Sequence, residues 1–359
     1  MTGRRLRTTT ALLAVAFVGA CAGEPTGSSP TDGSNAGTGF PGPEAVSEIA
    51  SGLDAPWSVA FHEDAVLVSE RDSARILEVR EGELTSVATI DGVETGGEGG
   101  LLGLAAHESQ LYVYYTTAAG NRIDRFEITG QPGGLELENR ETILEDLPSA
   151  RYHNGGRIAF GPDGMLYATV GDAGDTAAAQ DVESQAGKIL RMTPEGDVPE
   201  DNPFADSLVY SYGHRNPQGL GWDGEGTMYA SEFGQDTWDE LNVIEAGGNY
   251  GWPEVEGAGE REGFIDPVQQ WSTSKASPSG IAVTSDDIFI ANLRGERLRR
   301  VPLDDLASST EYLEGEYGRL RDAVVAPDGS LWLVTNNTDG RGDPRGDDDR
   351  ILRIDLGDM

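Results

Sequence analysis

The sequence contains little cysteine and little lysine. Among its 359 residues there is one cysteine, Cys21, and there are two lysines, Lys188 and Lys275. A single cysteine excludes a disulfide within the chain. The 26 basic residues face 62 acidic ones, so the formal net charge is −36. This charge excludes nucleic acid as a partner, because binding a phosphate backbone requires a basic face. An acidic, lysine-poor surface mainly favours solubility.

Long apolar runs and helical periodicity are also missing after the N-terminus. No apolar stretch beyond it has the length that a membrane-spanning helix needs. Glycine is abundant, with 49 residues, and no long 3.6-residue period appears. This combination is typical of short strands joined by tight turns, so the composition favours an all-β protein.

The N-terminus differs from the rest of the chain and predicts export. Three arginines within the first seven residues precede the apolar run 11–18, and two small residues precede Cys21. This order is typical of a lipoprotein signal peptide, here residues 1–20, cleaved before a cysteine that then carries lipid. Residues 21–45 contain this cysteine and a linker rich in Gly, Ser, Thr and Pro, which cannot bury enough apolar surface to fold. We expect an extracytoplasmic protein, periplasmic or at the cell surface, anchored to the membrane by lipid on Cys21.

After the linker the chain repeats one hairpin. In Phe160–Val170 and Val325–Val334 a hydrophobic strand enters a Pro-Asp-Gly turn and returns as a second strand. Weaker copies occupy residues 59–68, 104–113, 220–229 and 281–290. Hairpins that recur about every 40 to 60 residues are the signature of a β-propeller.

A second repeat alternates with the hairpins. One further strand, often of the form Arg-Ile-Leu-x-Val, follows each hairpin, at residues 75–79, 122–128, 188–192, 240–244, 297–301 and 350–354. Strict alternation of these two repeats predicts an all-β fold over residues 46–359. We expect a six-bladed β-propeller with four-stranded antiparallel blades around a central channel. A β-sandwich, the main alternative, has no reason to repeat its units.

This architecture predicts which polar residues converge. The first strand of each blade lines the channel, and all first strands run in the same direction, so the residues that precede them meet at one mouth. The loops that leave the second strands return to that face. Eight polar residues at this mouth are the site candidates: Glu98, His153, Arg215, Asn216, Gln218, Arg294, Arg319 and Arg321. The same rule also places Arg71 and Asp172 there, each after a second strand.

Four of the eight residues are arginines. Guanidinium groups gathered at one mouth repel one another unless an anion lies among them, and they bind carboxylates bidentately. Arg215, Arg294, Arg319 and Arg321 therefore predict a compact polycarboxylate or a phosphate as ligand. The alternative is that each arginine pairs with one of the many acidic residues.

Among the four histidines, His153 is the candidate general base. It stands directly before a channel strand, and glycines after it let the backbone approach a ligand. Histidine is the natural side chain to remove a proton near neutral pH. His62 and His107 fall in or near hairpin turns and are expected to be turn or packing residues. His214 precedes Arg215 and could be either a catalytic residue or a packing residue.

Two further motifs are weaker. The glycine-rich segment 96–100 lacks the lysine, the following helix and the βαβ setting of a nucleotide-binding loop. The aspartates between Asp343 and Asp349 could bind a hard cation. We expect them instead to form a solvated loop.

Several motifs resemble those of the soluble pyrroloquinoline quinone (PQQ) sugar dehydrogenases, the glucose/sorbosone or aldose sugar dehydrogenase family. The most specific are Gly-His-Arg-Asn-Pro-Gln-Gly-Leu at 213–220 and Asn-Tyr-Gly-Trp-Pro at 249–253. Further matches in the family's order lie at residues 99–104, 153–164, 187–191, 239–242 and 319–322. The resemblance covers nearly the whole domain.

The resemblance implies a cofactor, because PQQ is a tricarboxylated quinone. His153 would take the proton of the sugar's anomeric hydroxyl while a hydride passes to the quinone, and Arg215 would stabilise the developing negative charge. The residues implied to hold the cofactor are Asn216, Arg294, Arg319, Arg321, Glu98 and Gln218. The backbone carbonyls of Gly234 and Gln235 would bind a Ca²⁺ ion.

The implied function is oxidation of the anomeric carbon of aldoses to lactones. The electrons would pass to an acceptor that the sequence does not identify, such as a membrane quinone or a cytochrome. One alternative is a gluconolactonase-like Ca²⁺-dependent hydrolase, which would need metal-ligating acids at the channel. The other is a non-catalytic sugar- or protein-binding propeller, which would tolerate loss of His153.

Overall fold

The computed structural model describes residues 46–356 and confirms the six-bladed propeller. Within these residues, 24 strands form six four-stranded antiparallel sheets. The predicted signal peptide, Cys21 and the linker lie outside the described residues. In the described part, no helix is long and apolar enough to cross a membrane.

The blades follow one another along the chain. Blade 1 contains β2 (Pro56–His62), β3 (Ala65–Glu70), β4 (Arg75–Arg80) and β5 (Glu83–Thr89). Blade 2 contains β6 (Leu101–His107), β7 (Gln110–Thr116), β8 (Asn121–Gln131) and β9 (Gly134–Leu147). Blade 3 contains β10 (Ile158–Phe160), β11 (Leu166–Val170), β12 (Lys188–Met192) and β13 (Val209–Tyr212), with a short 3₁₀ turn at Thr176–Gln180.

The remaining three blades continue this order. Blade 4 contains β14 (Pro217–Trp222), β15 (Met228–Glu232), β16 (Trp238–Ile244) and β17 (Gln269–Ser272). Blade 5 contains β18 (Pro278–Val283), β19 (Asp287–Asn292), β20 (Arg297–Pro302) and β21 (Thr310–Tyr312). Blade 6 contains β22 (Leu320–Val325), β23 (Leu331–Thr335), β24 (Arg350–Ile354) and, as its outer strand, β1 (Val46–Ser51).

Strands from both ends of the domain close the ring. β1 pairs antiparallel with β24, with Val46 opposite Ile354 and Ser51 opposite Arg350. The last blade is therefore completed by the first strand of the described chain. Because β1 continues directly into β2 of blade 1, its backbone hydrogen bonds to β24 hold blade 6 against blade 1.

The repeated hairpin turns have a local physical cause. In the turn before β11, Gly164 adopts a φ of +76°, which glycine tolerates because it has no Cβ. The carboxylate of Asp163 accepts a hydrogen bond from the Met165 amide at 3.1 Å and another from the Tyr167 hydroxyl at 2.9 Å. Asp328 accepts in the same way from the Ser330 amide, at 3.0 Å. Asp-Gly thus specifies both of the clear hairpins.

Apolar cores lie between neighbouring blades. Between blades 2 and 3, Leu102 and Tyr114 pack in one buried cluster with Val170 and Leu190. Val59 of blade 1 belongs to another cluster that also contains residues of blade 6. This interdigitation fixes the first strands relative to one another and so positions the residues at the channel mouth.

Glycines allow the first strands to approach closely halfway along the channel. A Cβ atom on Gly103 would clash with the carbonyl of Gly156, and one on Gly219 would clash with the carbonyl of Ser279. A Cβ on Gly280 would collide with the carboxylate of Asp322. The channel is therefore narrow at this level, which we call the waist.

The aspartate-rich segment near the C-terminus corrects one expectation. Asp349 is fully buried, so the expected solvated loop is wrong at that position. Its carboxylate accepts hydrogen bonds from the Thr335 hydroxyl at 2.9 Å, the Asn337 amide at 2.6 Å and the Thr338 hydroxyl at 2.6 Å. Asp349 therefore ties the loop after β23 to β24, whereas Asp343 is exposed as expected.

Candidate active site

Hydrogen bonds between blades show that the predicted residues share one mouth. The Glu98 carboxylate accepts from the backbone amide of His153 at 2.8 Å, which joins blades 2 and 3. The Gln218 side chain accepts from Arg321 Nη1 at 2.7 Å, which joins blades 4 and 6. These residues come from separate blades, and the fold brings them together above the waist.

His153 forms a hydrogen-bonded chain with two residues. Its Nδ1 lies 2.6 Å from Asp172 Oδ1, and the indole Nε1 of Trp252 donates to Asp172 Oδ2 at 2.8 Å. Burial acts to raise the pKa of Asp172, but the hydrogen bonds from His153 and the Gly174 amide outweigh it and hold that pKa below its usual range. Asp172 is thus a carboxylate that accepts the Nδ1 proton and leaves Nε2 as the basic nitrogen.

The backbone holds this imidazole in an unusual conformation. His153 has a φ of +59°, a region that costs a non-glycine residue about 1 kcal/mol or more. The His153 carbonyl also accepts from the Ala173 amide at 3.2 Å, and a Cβ on Gly171 would clash with that carbonyl. The side chain remains 13% exposed, and among residues 46–356 no hydrogen-bond partner reaches Nε2. The base is therefore rigidly held and still open to the mouth.

The Arg215 guanidinium lies beside the Trp252 ring and makes no ion pair with an acidic residue of the described chain. Its guanidinium carbon is 5.4 Å from the Trp252 ring centroid. Nη1 donates to the carbonyls of Phe233 at 3.2 Å and Gly234 at 2.6 Å. Its Nε is buried without a hydrogen-bond partner within the described chain. Trp252 thus links the two candidate catalytic residues, because it bonds to Asp172 and contacts Arg215.

Arg321 is the most buried of the predicted arginines and is also without an acid in contact. It is 3% exposed, and its other close partner is the Ser279 hydroxyl at 3.2 Å. Burial lowers the pKa of Arg321 to about 9; attraction to Asp339 opposes this, and repulsion by Arg71 and Arg319 adds to it. A bound anion would relieve this unfavourable electrostatic environment.

One carboxylate, Asp339, serves several of these cations. Arg319 Nη2 lies 3.2 Å from its Oδ2, and Arg71 Nη1 lies 3.9 Å from the same oxygen. Burial acts to raise the pKa of Asp339, but attraction to Arg319 and Arg321 lowers it overall. The alternative of one acid for each arginine therefore describes Arg319 but not Arg215 or Arg321.

Arg294 stands apart from the other predicted residues. It is exposed after β19, and in the described part of the chain no carboxylate lies within the 4.0 Å limit of an ion pair with it. The structure shows no contact between Arg294 and the other arginines. Arg294 is therefore a residue of the exposed rim and is not buried as Arg319 and Arg321 are.

Asn216 and Glu98 surround the backbone of the candidate base. Asn216 is fully buried; its Oδ1 accepts from the Gly155 amide at 3.0 Å, and its Nδ2 donates to Glu98 Oε2 at 3.4 Å. The other Glu98 oxygen lies 3.7 Å from Arg341 Nη1. Both side chains thus hold the loop that carries His153.

The predicted calcium-binding turn is tightly braced. Glu256 Oε1 accepts backbone hydrogen bonds from four successive residues, Gln235, Asp236, Thr237 and Trp238. The Gly234 amide donates to Asp239 at 2.9 Å, and burial raises the pKa of Asp239 to about 6. A Cβ on Gly234 would clash with the Trp238 carbonyl, so this turn requires glycine.

Two other histidines, His214 and His107, have structural roles. His214, which the sequence left open as either a catalytic or a packing residue, is fully buried. Its Nδ1 lies 2.8 Å from Glu232, and its Nε2 lies 2.8 Å from the Ser211 hydroxyl. His107 stacks on Phe160 with ring centroids 4.2 Å apart, as expected of a packing residue.

The sequence assigned no role to four residues that complete the site, although it placed two of them, Arg71 and Asp172, at the mouth. Asp172 follows a second strand and Trp252 lies in the Asn-Tyr-Gly-Trp-Pro motif, so a signal was present for both. Arg71 and Asp339 meet across blades 1 and 6, and no local pattern predicts that contact. A groove of about 810 Å³ beside Phe204 contains none of the predicted site residues and lies outside this cluster.

Comparison with known proteins identifies the family. The family model described as Glucose / Sorbosone dehydrogenase matches residues 53–352. The solved structure of the PQQ-bound form of aldose sugar dehydrogenase from Streptomyces coelicolor is 52% identical, covers 86% of this chain and 97% of that chain, and superposes with a TM-score of 0.83.

Two curated relatives are also named as sugar dehydrogenases. Aldose sugar dehydrogenase YliI of Escherichia coli is 28% identical over 82% of this chain and 91% of its own length. Quinoprotein glucose dehydrogenase B of Acinetobacter calcoaceticus is 32% identical over 60% of this chain and 54% of its own length. The chain belongs to the glucose/sorbosone dehydrogenase family.

Proposed function

We propose that this protein oxidises the anomeric C1 hydroxyl of aldose sugars to the lactone by hydride transfer to PQQ. The observation that carries the proposal is the pairing of His153 with Asp172 beside arginines that lack acidic partners. Similarity to a PQQ-bound aldose sugar dehydrogenase and to a quinoprotein glucose dehydrogenase supports it.

The residues at the mouth fit a tricarboxylated cofactor. The buried guanidinium nitrogens Nε of Arg215 and Nε of Arg321 have no hydrogen-bond partner in the described chain. The guanidinium groups of both residues also lack an acidic partner there, and a cofactor carboxylate or quinone oxygen would supply that counter-charge through charge-assisted hydrogen bonds, which are stronger than neutral ones. We infer that Arg215, Arg319 and Arg321, with Asn216 and Gln218 behind them, hold PQQ, and that Arg294 contacts it from the exposed rim.

Oxidation at C1 removes a proton from the hydroxyl and a hydride from the carbon. When bound, PQQ supplies the two-electron acceptor for that hydride. His153 Nε2 takes the hydroxyl proton, and the Asp172 carboxylate stabilises the imidazolium that forms. Trp252 holds Asp172 in place, and Arg215 stabilises negative charge that develops on the acceptor side.

We propose that the braced turn at Gly234 and Gln235 binds Ca²⁺ through its backbone carbonyls, with cofactor oxygens as further ligands. Oxygen ligands of this type suit Ca²⁺. The Gly234 carbonyl already accepts from Arg215 at 2.6 Å, so the ion and this guanidinium would share that carbonyl. The chemistry a cation supplies there is additional stabilisation of negative charge.

A reconstitution experiment tests the dehydrogenase proposal. Purified protein is mixed with PQQ and Ca²⁺, and reduction of a redox dye is followed with glucose and a panel of other aldoses. Turnover that requires both additions is expected. No turnover with any aldose, together with an unchanged PQQ absorbance spectrum on mixing with the protein, would contradict the proposal.

The structure does not favour the two alternatives. A hydrolase was expected to place metal-ligating acids at the channel, and within residues 46–356 no group of three or more His, Cys, Asp or Glu side chains is arranged to hold a metal ion. A purely binding propeller gives no reason for a solvent-accessible imidazole held by a buried carboxylate.

We also propose, from the N-terminal sequence alone, that the enzyme is extracytoplasmic and anchored by lipid on Cys21, so that its electrons reach a membrane quinone or a cytochrome. Metabolic labelling with palmitate, comparing the native chain with Cys21→Ser, tests the anchor. Incorporation of label only into the native chain is expected, and equal labelling of both would contradict it.

A further inference from the structure

Two side-chain amides join blade 3 to blade 4. Gln180 ends the 3₁₀ turn between β11 and β12, and Asn249 lies in the loop between β16 and β17. Gln180 Nε2 donates to Asn249 Oδ1 at 2.9 Å, and Asn249 Nδ2 donates to Gln180 Oε1 at 2.8 Å. Each amide thus donates to and accepts from the other, which fixes the orientation of both. We call this pair the amide clamp.

The amide clamp holds the main chain of Trp252. Gln180 Nε2 donates its second hydrogen to the Trp252 carbonyl at 2.7 Å, while the Trp252 amide donates to the Gly213 carbonyl at 2.9 Å. A Cβ atom on Gly213 would lie 2.3 Å from Asn249 Oδ1 and 2.8 Å from Gln180 Nε2. The segment that leads to Arg215 therefore packs directly against the clamp and requires glycine at this position.

A buried lysine fixes the turn that carries Gln180. The Lys188 side chain is fully buried. Its Nζ donates to the carbonyls of Ala178 at 2.9 Å, Ala179 at 3.0 Å and Ala186 at 2.5 Å, which uses all three hydrogens of the ammonium group. Since Ala178 and Ala179 directly precede Gln180, this group holds the backbone of the turn in place.

Trp252 connects the clamp to the catalytic residues. Its indole Nε1 donates to Asp172 Oδ2, and its ring lies beside the Arg215 guanidinium. In the described chain the side-chain hydrogen bonds of Gln180 go to Asn249 and Trp252. A change at Gln180 can therefore reach Asp172 through Trp252 without altering any hydrogen bond that Asp172 itself receives from another residue.

We propose that Gln180 is a positioning residue for the oxidation of the sugar. It acts through Trp252, because its amide holds the tryptophan main chain where the indole orients Asp172 and contacts Arg215. The effect on turnover rests on the proposed function, whereas the effect on the indole does not. A clamp that only joined the two blades would contribute to stability and leave the indole hydrogen bond unchanged when removed.

The indole N–H signal of Trp252 in a ¹H–¹⁵N spectrum of the full chain reports this hydrogen bond. The chain has six tryptophans, and Trp252→Phe assigns the signal by its disappearance. Gln180→Met is similar in size but cannot donate, so we expect the signal to move upfield as the bond to Asp172 lengthens. Gln180→Glu keeps the length and polarity without a donor and should act likewise. An unchanged signal in either folded variant would overturn the proposal.

Gln269 provides a matched control. It lies on β17, the outer strand of blade 4, and its Nε2 donates to the Leu306 carbonyl at 2.8 Å. Gln269→Met therefore loses a hydrogen bond of the same kind between blades 4 and 5. The Trp252 signal and kcat should both stay unchanged in this variant. An equal shift of the signal in Gln269→Met would refute a specific role for the clamp.

Turnover with PQQ and Ca²⁺ tests whether Gln180 acts through Trp252. Gln180→Met should lower kcat by about 10- to 10²-fold, because small displacements of reacting groups cost this much, with PQQ affinity within a few-fold. In the Trp252→Phe background the same substitution should lower kcat no further. Equal fold-losses in both backgrounds would contradict the proposal. No turnover in the native protein would count against the dehydrogenase proposal, and the indole signal would still decide the role of Gln180.

Discussion

Residues 46–356 contain two histidine–carboxylate pairs with similar short contacts and different surroundings. His153 Nδ1 lies 2.6 Å from Asp172, and His214 Nδ1 lies 2.8 Å from Glu232. His214 is fully buried, and its second nitrogen contacts the Ser211 hydroxyl. His153 is partly exposed at the channel mouth, and in the described chain its second nitrogen has no partner.

The difference shows that a paired histidine is not by itself a catalytic one. In the His214 pair every nitrogen has a protein partner, so the pair contributes to stability and cannot exchange a proton with a substrate. In the His153 pair one nitrogen is left for a ligand, and a positive φ is tolerated to present it. Substitutions at the two pairs should therefore affect different properties, activity at one and stability at the other.

The largest effect is expected for His153→Gln. Loss of the general base should lower kcat by about 10²- to 10⁴-fold, while the affinity for PQQ stays within a few-fold, because the arginines are intact. Steady-state dye reduction and a PQQ titration measure the two quantities. Retained turnover would show that His153 is not the base.

The second expectation concerns Asp172→Asn. An amide cannot stabilise an imidazolium as a carboxylate does and can favour the wrong tautomer, so kcat should fall by roughly 10²-fold or more with little change in PQQ affinity. Glu232→Gln is the matched control at the structural pair, because glutamine keeps an oxygen that can accept from the backbone amides of Arg215 and Asn216. If both substitutions reduced kcat equally in folded protein, the proposed distinction between the pairs would fail.

The third expectation concerns stability at the structural pair. His214→Leu removes the partner of the Glu232 Oε2 oxygen and of the Ser211 hydroxyl and leaves these buried polar groups unsatisfied, which should lower the free energy of unfolding by about 2 to 4 kcal/mol. Denaturant unfolding measures this change. The folded fraction of the His214→Leu variant should keep kcat within a few-fold of the native enzyme. A loss of kcat without a loss of stability would contradict a structural role for His214.

The smallest effect is a pH dependence of stability at the catalytic pair. The folded-state pKa of Asp172 lies below its usual value of 3.8, so this group stabilises the fold above that value and the contribution is lost as pH falls through the folded pKa. Unfolding experiments between pH 6 and about 3 should therefore show that the difference in the free energy of unfolding between the native protein and Asp172→Asn becomes smaller as the pH falls. A difference in the free energy of unfolding that increases as the pH falls would contradict this expectation.

Much of the fold could be predicted because it repeats. The Asp-Gly turns and the following strands fix the number and order of the blades, and the structure reproduces each of the six hairpins. The outer strands, such as β5 and β21, had no comparable signal, since they are short or largely exposed. The pairing of β1 with β24 joins the two ends of the domain and follows from ring closure rather than from local sequence.

The site was predictable to the level of which residues share a mouth. Strand polarity placed His153, Arg215 and Arg321 on one face, but it could not show which arginine meets an acid. That depends on contacts between distant blades, such as Arg319 with Asp339. The orienting role of Asp172 also required coordinates, because its distance to His153 is set by the turn geometry of blade 3.

The most direct test of the central claim is a single anaerobic mixing experiment. Protein reconstituted with PQQ and Ca²⁺ is mixed with an aldose, and the absorbance spectrum of the bound cofactor is recorded for the native chain and for His153→Gln. We expect conversion to the reduced cofactor spectrum in the native protein and a spectrum that stays oxidised, with PQQ still bound, in the variant. Equal conversion in both proteins, or none in the native protein with any aldose, would contradict it.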